Sequence, residues 1–314
     1  LTFFLLIIFL KSSYIYNFIW PTEKLFQDLI MPVKWLECNK AGLDIFKSDT
    51  CAGGTFAYGP IFLKIPVTQT LKIFYLKYLP YLCIFLFITF LVISINKNSL
   101  LSIILILLCI FNPSTLLLFQ RMNLDIVVFL LVILLTFNKI YFLNWFLIFF
   151  LTFSKVYPIV SGFIVFIENN ERSLKKIFII ILGMAILSLL YLFFNLQNYI
   201  NFFNGLSANK AGYHFLFSLN SIPKIIKYSF NINYILLLLV FYLSFFYVIN
   251  KLYKKLSLLN FNQIDFYSYN YKIFLLGALI SLISFILFSN YFHREVFLIM
   301  TIPFIFSLYF YSKS

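Results

Sequence analysis

A chain of 314 residues that is 63% hydrophobic and only 11% charged lies far from an ordinary water-soluble domain, which is about 45–50% apolar and about 25% charged. The mean hydropathy of +0.98 and the lack of a polar block of domain size predict one integral membrane domain over 1–314. The formal charge of +14 would suggest nucleic acid for a soluble protein, but lysines flanking apolar spans meet anionic headgroups instead, so no nucleic-acid partner is expected.

Taken in chain order, apolar runs bounded by polar punctuation predict about ten transmembrane or re-entrant helices. They fall near 1–18, 73–95, 99–118, 123–137, 140–153, 156–168, 174–196, 233–250, 272–290 and 295–311. The first begins at Leu1 without an initiator Met, and it reads as a helix that has lost its start. Three runs, 123–137, 140–153 and 156–168, are shorter than the roughly 20 residues of a full crossing. They read as broken or tilted helices lining a cavity, or as re-entrant hairpins. Two long polar stretches, about 19–72 and 197–232, are predicted as external loops. Alternating spans put both loops, Arg121, Lys155 and "NYFHREV" (290–296) on one face. The short basic clusters "ERSLKK" (171–176) and "KLYKK" (251–255) fall on the other face, which marks it as cytoplasmic. The predicted localisation is therefore a bacterial inner membrane, with the active face external. Cys38 and Cys51, 13 positions apart in the first loop, are compatible with a bridge in an oxidising compartment, although spacing alone leaves this open.

Basic positions are filled by 21 Lys and only three Arg: Arg121, Arg172 and Arg294. Arginine supplies a planar, bidentate donor that lysine does not, so its rare positions draw the eye. In "FQRMNLD" (119–125), Arg121 and Asp125 lie four apart at the head of an apolar run. They read as an ion pair across one helical turn that fixes the helix end, as an Arg presented to an anionic headgroup, or as both. In "YFHREV" (291–296), His293 and Arg294 read as an interfacial turn, or as a second phosphate-binding Arg beside a group that titrates near neutrality. Lys155 in "FSKVYPIV" precedes a Tyr-Pro step at Tyr157, and reads as a snorkelling lysine or as a cation at a cavity rim. Asp28, Asp44 and Tyr58 lie in the first loop, where carboxylates are common and usually inert, and "YGP" (58–60) by itself is a turn signal. Phosphate loops, H-E-x-x-H metal motifs and G-x-S-x-G elbows are absent from the sequence. No cofactor is demanded; a divalent cation on a carboxylate stays possible.

In order, these pieces are Asp28, a G-x-D-x-aromatic turn (Gly42, Asp44, Phe46) and "YGP". They continue with R-x-N-x-D (Arg121, Asn123, Asp125), "KVYP" (155–158) and "YFHRE" (291–295). The arrangement resembles the polyprenol-phosphate-mannose-dependent mannosyltransferase-like family of membrane glycosyltransferases, whose fold is GT-C. The resemblance implies a hexosyltransferase that takes a sugar, mannose or another hexose, from a polyprenyl-phosphate donor. The acceptor would be a hydroxyl of a glycolipid or polysaccharide at the outer face of the bilayer. It makes Asp28 the general base. It also gives Arg121, Arg294 and Lys155, with Asn123, Asp125, Tyr157 and His293, to the donor site, and Asp44 and Tyr58 to first-loop support. The competing expectation is a transporter or flippase for an anionic lipid-linked substrate; such proteins often carry internal repeats, and none is visible here.

Overall fold

In a computed structural model of the chain, the described residues are 26–46, 51, 56, 58–95, 99–138, 140–155, 157–163, 174–201, 268–287 and 295–311, with scattered positions between 239 and 251. All regular structure among them is helical. The helices are α1 (Gln27–Lys40), α2 (Gln69–Ile95), α3 (Leu100–Ile110), α4 (Pro113–Arg121), α5 (Asp125–Phe137) and α6 (Tyr141–Ser154). After these come α7 (Leu174–Phe194), α8 (Tyr269–Leu287), α9 (Val296–Ile299) and α10 (Ile302–Tyr311). Two 3-10 turns, Pro60–Lys64 and Tyr157–Phe163, join them, and a π turn at Phe74–Tyr78 interrupts α2.

Local chemistry sets several of these ends. The Thr68 side chain accepts from the Leu71 N–H at the start of α2, and Ser99 accepts from Ser102 at the start of α3. Asn112 caps α4 by accepting from the Ser114 N–H, with Pro113 in the first helical position, where its missing N–H is not needed. This Asn-Pro step bends α3 from α4 by 51°. Helix α4 stops at Met122, whose left-handed backbone (φ 50°) ends it before α5 begins.

A buried aromatic column centres the core. Phe87 of α2 lies 5.2 Å from Phe119 of α4 and 5.0 Å from Phe129 of α5, and Phe129 lies 5.9 Å from Phe297 of α9, all four rings fully buried. Ring pairs at such distances add about 0.5–1.5 kcal/mol each beyond the burial of their area. Helix α8 packs on α5, α9, α10 and the 157–163 turn. Its Gly277 makes this possible, because a Cβ there would stand 2.6 Å from the Phe297 carbonyl oxygen.

The structure corrects the expected fold class. Only Gln69–Ile95, among the described residues, is long and apolar enough to cross a membrane, or two spans if the bent pair α3–α4 is one. Asp125–Phe137, Phe142–Ser154 and Val296–Leu308 are shorter than that. A polytopic domain of about ten membrane helices with a GT-C-like plan is therefore not what the described chain forms. The hydropathy reading took 99–118 as one span, whereas the Asn112-Pro113 step breaks that run into α3 and α4. The 156–168 run, expected as a helix, starts as a 3-10 turn at Tyr157–Phe163. Large apolar side chains nevertheless remain exposed, among them Ile93 on α2, Leu108 on α3 and Phe142 on α6.

The first long loop also departs from expectation, because α1 occupies its start. The sulfurs of Cys38 and Cys51 are bonded, with Cα atoms 6.3 Å apart. The bridge ties the end of α1 to a small aromatic cluster of Trp35, Phe56 and Tyr58. Closing a loop of this length is worth about 3 kcal/mol in the chain-entropy account. Reduction should lower the unfolding free energy by about 2–4 kcal/mol, measured by denaturant titration with and without reductant; an unchanged midpoint would show that the bridge contributes no stability.

Candidate functional site

Five side chains predicted in three stretches of the chain converge where α1, α4, α5 and the end of α6 meet. Asp28 in the first turn of α1 accepts from Arg121 Nε (3.0 Å) and Nη2 (2.8 Å) through one carboxylate oxygen, and from Asn123 Nδ2 (2.9 Å) through the other. Lys155, just past α6, pairs with Asp125 and also donates to Asn123 Oδ1 at 3.3 Å. Asn123 thus joins the two ion pairs into one network. Its Oδ1 also accepts the Asp125 N–H at 3.0 Å, which shapes the start of α5. Two acids and two bases make the cluster formally neutral.

The pairing differs from the sequence expectation. An ion pair of Arg121 and Asp125 across one helical turn was one expectation, beside an Arg presented to an anionic headgroup, but the helix breaks between them at Met122. Arg121 closes α4 and Asp125 opens α5, so the four-residue spacing no longer places them on one face. Their ion-pair partners come from far along the chain: Asp28 for Arg121 and Lys155 for Asp125.

Burial divides the network into two parts. The Asp125 side chain is fully buried and Lys155 is 10% exposed, whereas Asp28 and Arg121 are 15% and 30% exposed. The inner pair is an ionic tie within the core, and the outer pair forms its accessible rim. Tyr58 closes the inner part, with the Lys155 ammonium 5.1 Å from its ring centroid, a distance at which the ring face attracts a cation. Gly59, next in sequence, donates its N–H to the Ser154 carbonyl at 2.8 Å. A Cβ at Gly59 would overlap the Phe153 carbonyl, 2.8 Å from its carbon. The same carbonyl oxygen accepts from the buried Tyr199 hydroxyl at 3.1 Å. Burial, with a smaller contribution from neighbouring Tyr191, pushes the Tyr199 hydroxyl well above the usual tyrosine range, which keeps it a donor.

Other predicted residues serve elsewhere. Asp44 accepts from the Phe46 N–H at 3.1 Å in a local turn, with Gly42 supplying a positive φ of 77°. Tyr157 begins the second 3-10 turn. His293 and Arg294 lie outside the described residues, as does Arg172. Glu295, next to Arg294, accepts from the Ser114 hydroxyl at 2.8 Å and joins the start of α9 to the start of α4. No group of three or more His, Cys, Asp or Glu side chains suited to a metal ion occurs among the described residues. Gly59 was missed as a site residue; its signal was the Tyr-Gly-Pro step, in which a residue lacking Cβ lets two backbones touch.

Fold and site together define a strongly apolar helical protein with a charge-compensated polar centre. No protein-family model, curated protein or solved structure matches the chain, so the family resemblance rests on its short motifs alone. The functional expectation drawn from it is corrected. A polyprenyl-phosphate-dependent glycosyltransferase built on a polytopic membrane domain, or a transporter on the same plan, needs many spans where the described chain has one or two. The cations assigned to a donor phosphate, Arg121 and Lys155, are engaged by Asp28 and Asp125. The expected localisation, a polytopic inner-membrane protein with an external active face, loses its basis with those spans.

Proposed function

We propose that the Asp28–Arg121–Asn123 rim binds a hydroxyl-bearing ligand whose hydroxyl donates a hydrogen bond to Asp28. The supporting observation is the holding of one carboxylate. An ionised carboxylate offers about four acceptor positions, and donors among the described residues take three of Asp28's. Arg121 and Asn123 thus fix the orientation of the acid, and the remaining position on the Asn123-bound oxygen suits a ligand hydroxyl. The inner Lys155–Asp125 pair holds Asn123 from behind. Such preorganisation raises the value of each ligand hydrogen bond, because little ordering remains to be done on binding.

A second reading is favoured by the same network: a latch that only joins α1, α4, α5 and α6. The two are separable by experiment. Equilibrium binding of a panel of hexoses and linear polyols to the full chain should find at least one that binds wild type. Its affinity should fall by about 10- to 150-fold in Asp28→Asn, the value of a hydrogen bond to a charged group. If no polyol binds correctly folded wild type, or if the variant binds equally well, the latch reading stands and the proposal fails.

A further inference from the structure

A second feature lies away from this network, at the head of the membrane-length helix α2. Phe26, Gln69, Lys72, Ile73, Leu76, Lys77 and Tyr81 line an open groove of about 440 Å³. Its two cations stand among apolar walls. Lys72 pairs with Glu37 at 2.6 Å, both side chains being partly exposed, while exposed Lys77 lies 5.9 Å from the ring centroid of Tyr78. Lys77 belongs to the π turn at Phe74–Tyr78, which begins two residues after Lys72; such turns often occur at functional sites. Beyond the groove α2 keeps an apolar outer face: Leu82, Phe85, Leu86 and Ile93 are each 39–66% exposed. Their spacing follows helical periodicity, so they form one stripe below the groove.

We infer that this groove binds the phosphate headgroup of an anionic lipid, with the acyl chains lying along the exposed stripe of α2. Charge complementarity carries the assignment, since two lysines flank a cleft whose remaining walls are mainly apolar. Aromatic rings at the same level, Tyr78 and Tyr81, suit a membrane–water boundary. A free phosphate would use the cations but not the stripe, and the assignment is to the lipid. Glu37 competes for Lys72 and holds part of the charge in reserve.

The test is co-sedimentation of the full chain with phosphatidylcholine vesicles, with and without phosphatidylglycerol. Lys77→Gln should weaken the preference for phosphatidylglycerol by about fivefold, the value of one lysine near an anionic surface. Ile73→Trp should lose the preference by filling the groove without changing charge, and Glu37→Gln should strengthen it by releasing Lys72. Lys251→Gln, on a chain segment far from the groove in sequence, serves as the comparison. An equal fall in Lys77→Gln and Lys251→Gln would overturn the site as diffuse attraction by a basic protein. Inorganic phosphate abolishing the preference at low millimolar levels would overturn the lipid as occupant. None of these variants touches Asp28 or its partners, so failure here leaves the proposed polyol site standing.

Discussion

Lys155→Met is expected to destabilise the fold by about 3–5 kcal/mol, the loss typical when one member of a buried ion pair is removed. The magnitude follows from asymmetry rather than from the strength of the pair. Asp125 is fully buried, and without Lys155 its charge must be neutralised or left uncompensated in an apolar setting. Because such pairs pay a large desolvation penalty, replacing both partners costs far less than replacing one. The double variant Asp125→Leu, Lys155→Met should therefore recover most of the lost stability. Denaturant unfolding of wild type, both single variants and the double variant gives the coupling directly. Additive losses would show that the two groups are not coupled and that the buried pair is not a unit.

The second large effect is expected at Gly59. Its backbone lies against Phe153 and Ser154, immediately before Lys155, so this contact positions the inner cation. Gly59→Ala places a methyl group where only backbone fits, and the first loop must move away from the end of α6. The expected cost is about 3 kcal/mol, the upper end of ordinary overpacking. The variant should also weaken polyol binding at Asp28, because Tyr58 and Lys155 shift with the backbone. Comparing its thermal midpoint with that of Gly42→Ala separates the two kinds of glycine. At Gly42 nothing stands within 4 Å of a Cβ, so its loss would come from the positive φ alone, about 1 kcal/mol. Equal losses at both positions would contradict the close approach at Gly59.

The helical class was readable from apolar runs, but the Asn112-Pro113 step that starts α4 was passed over inside the run 99–118. The singling out of Arg121, Asn123, Asp125, Lys155 and Asp28 also placed attention on residues that do converge. Their pairing was not readable. Four-residue spacing signals contact only while one helix continues, and the left-handed Met122 between Arg121 and Asp125 is a feature that few sequences announce. The Asp28–Arg121 pair spans 93 positions, a separation fixed only by packing of α1 on α4. Membrane topology misled for a related reason. Hydropathy measures the apolar character of a run, but not whether the run is straight, and Leu100–Ile110 with Pro113–Arg121 bends by 51° within one apolar stretch.

The central claim is that Asp28 offers its carboxylate to a ligand, and infrared difference spectroscopy addresses that group itself. Full chain labelled with carbon-13 at aspartate carboxylates would be compared with and without the tightest-binding polyol. The account predicts a shift of one carboxylate stretching band on ligand addition, present in wild type and missing in Asp28→Asn. A difference spectrum in which no aspartate band moves while the ligand is bound would contradict the account and leave Asp28 as half of a structural latch.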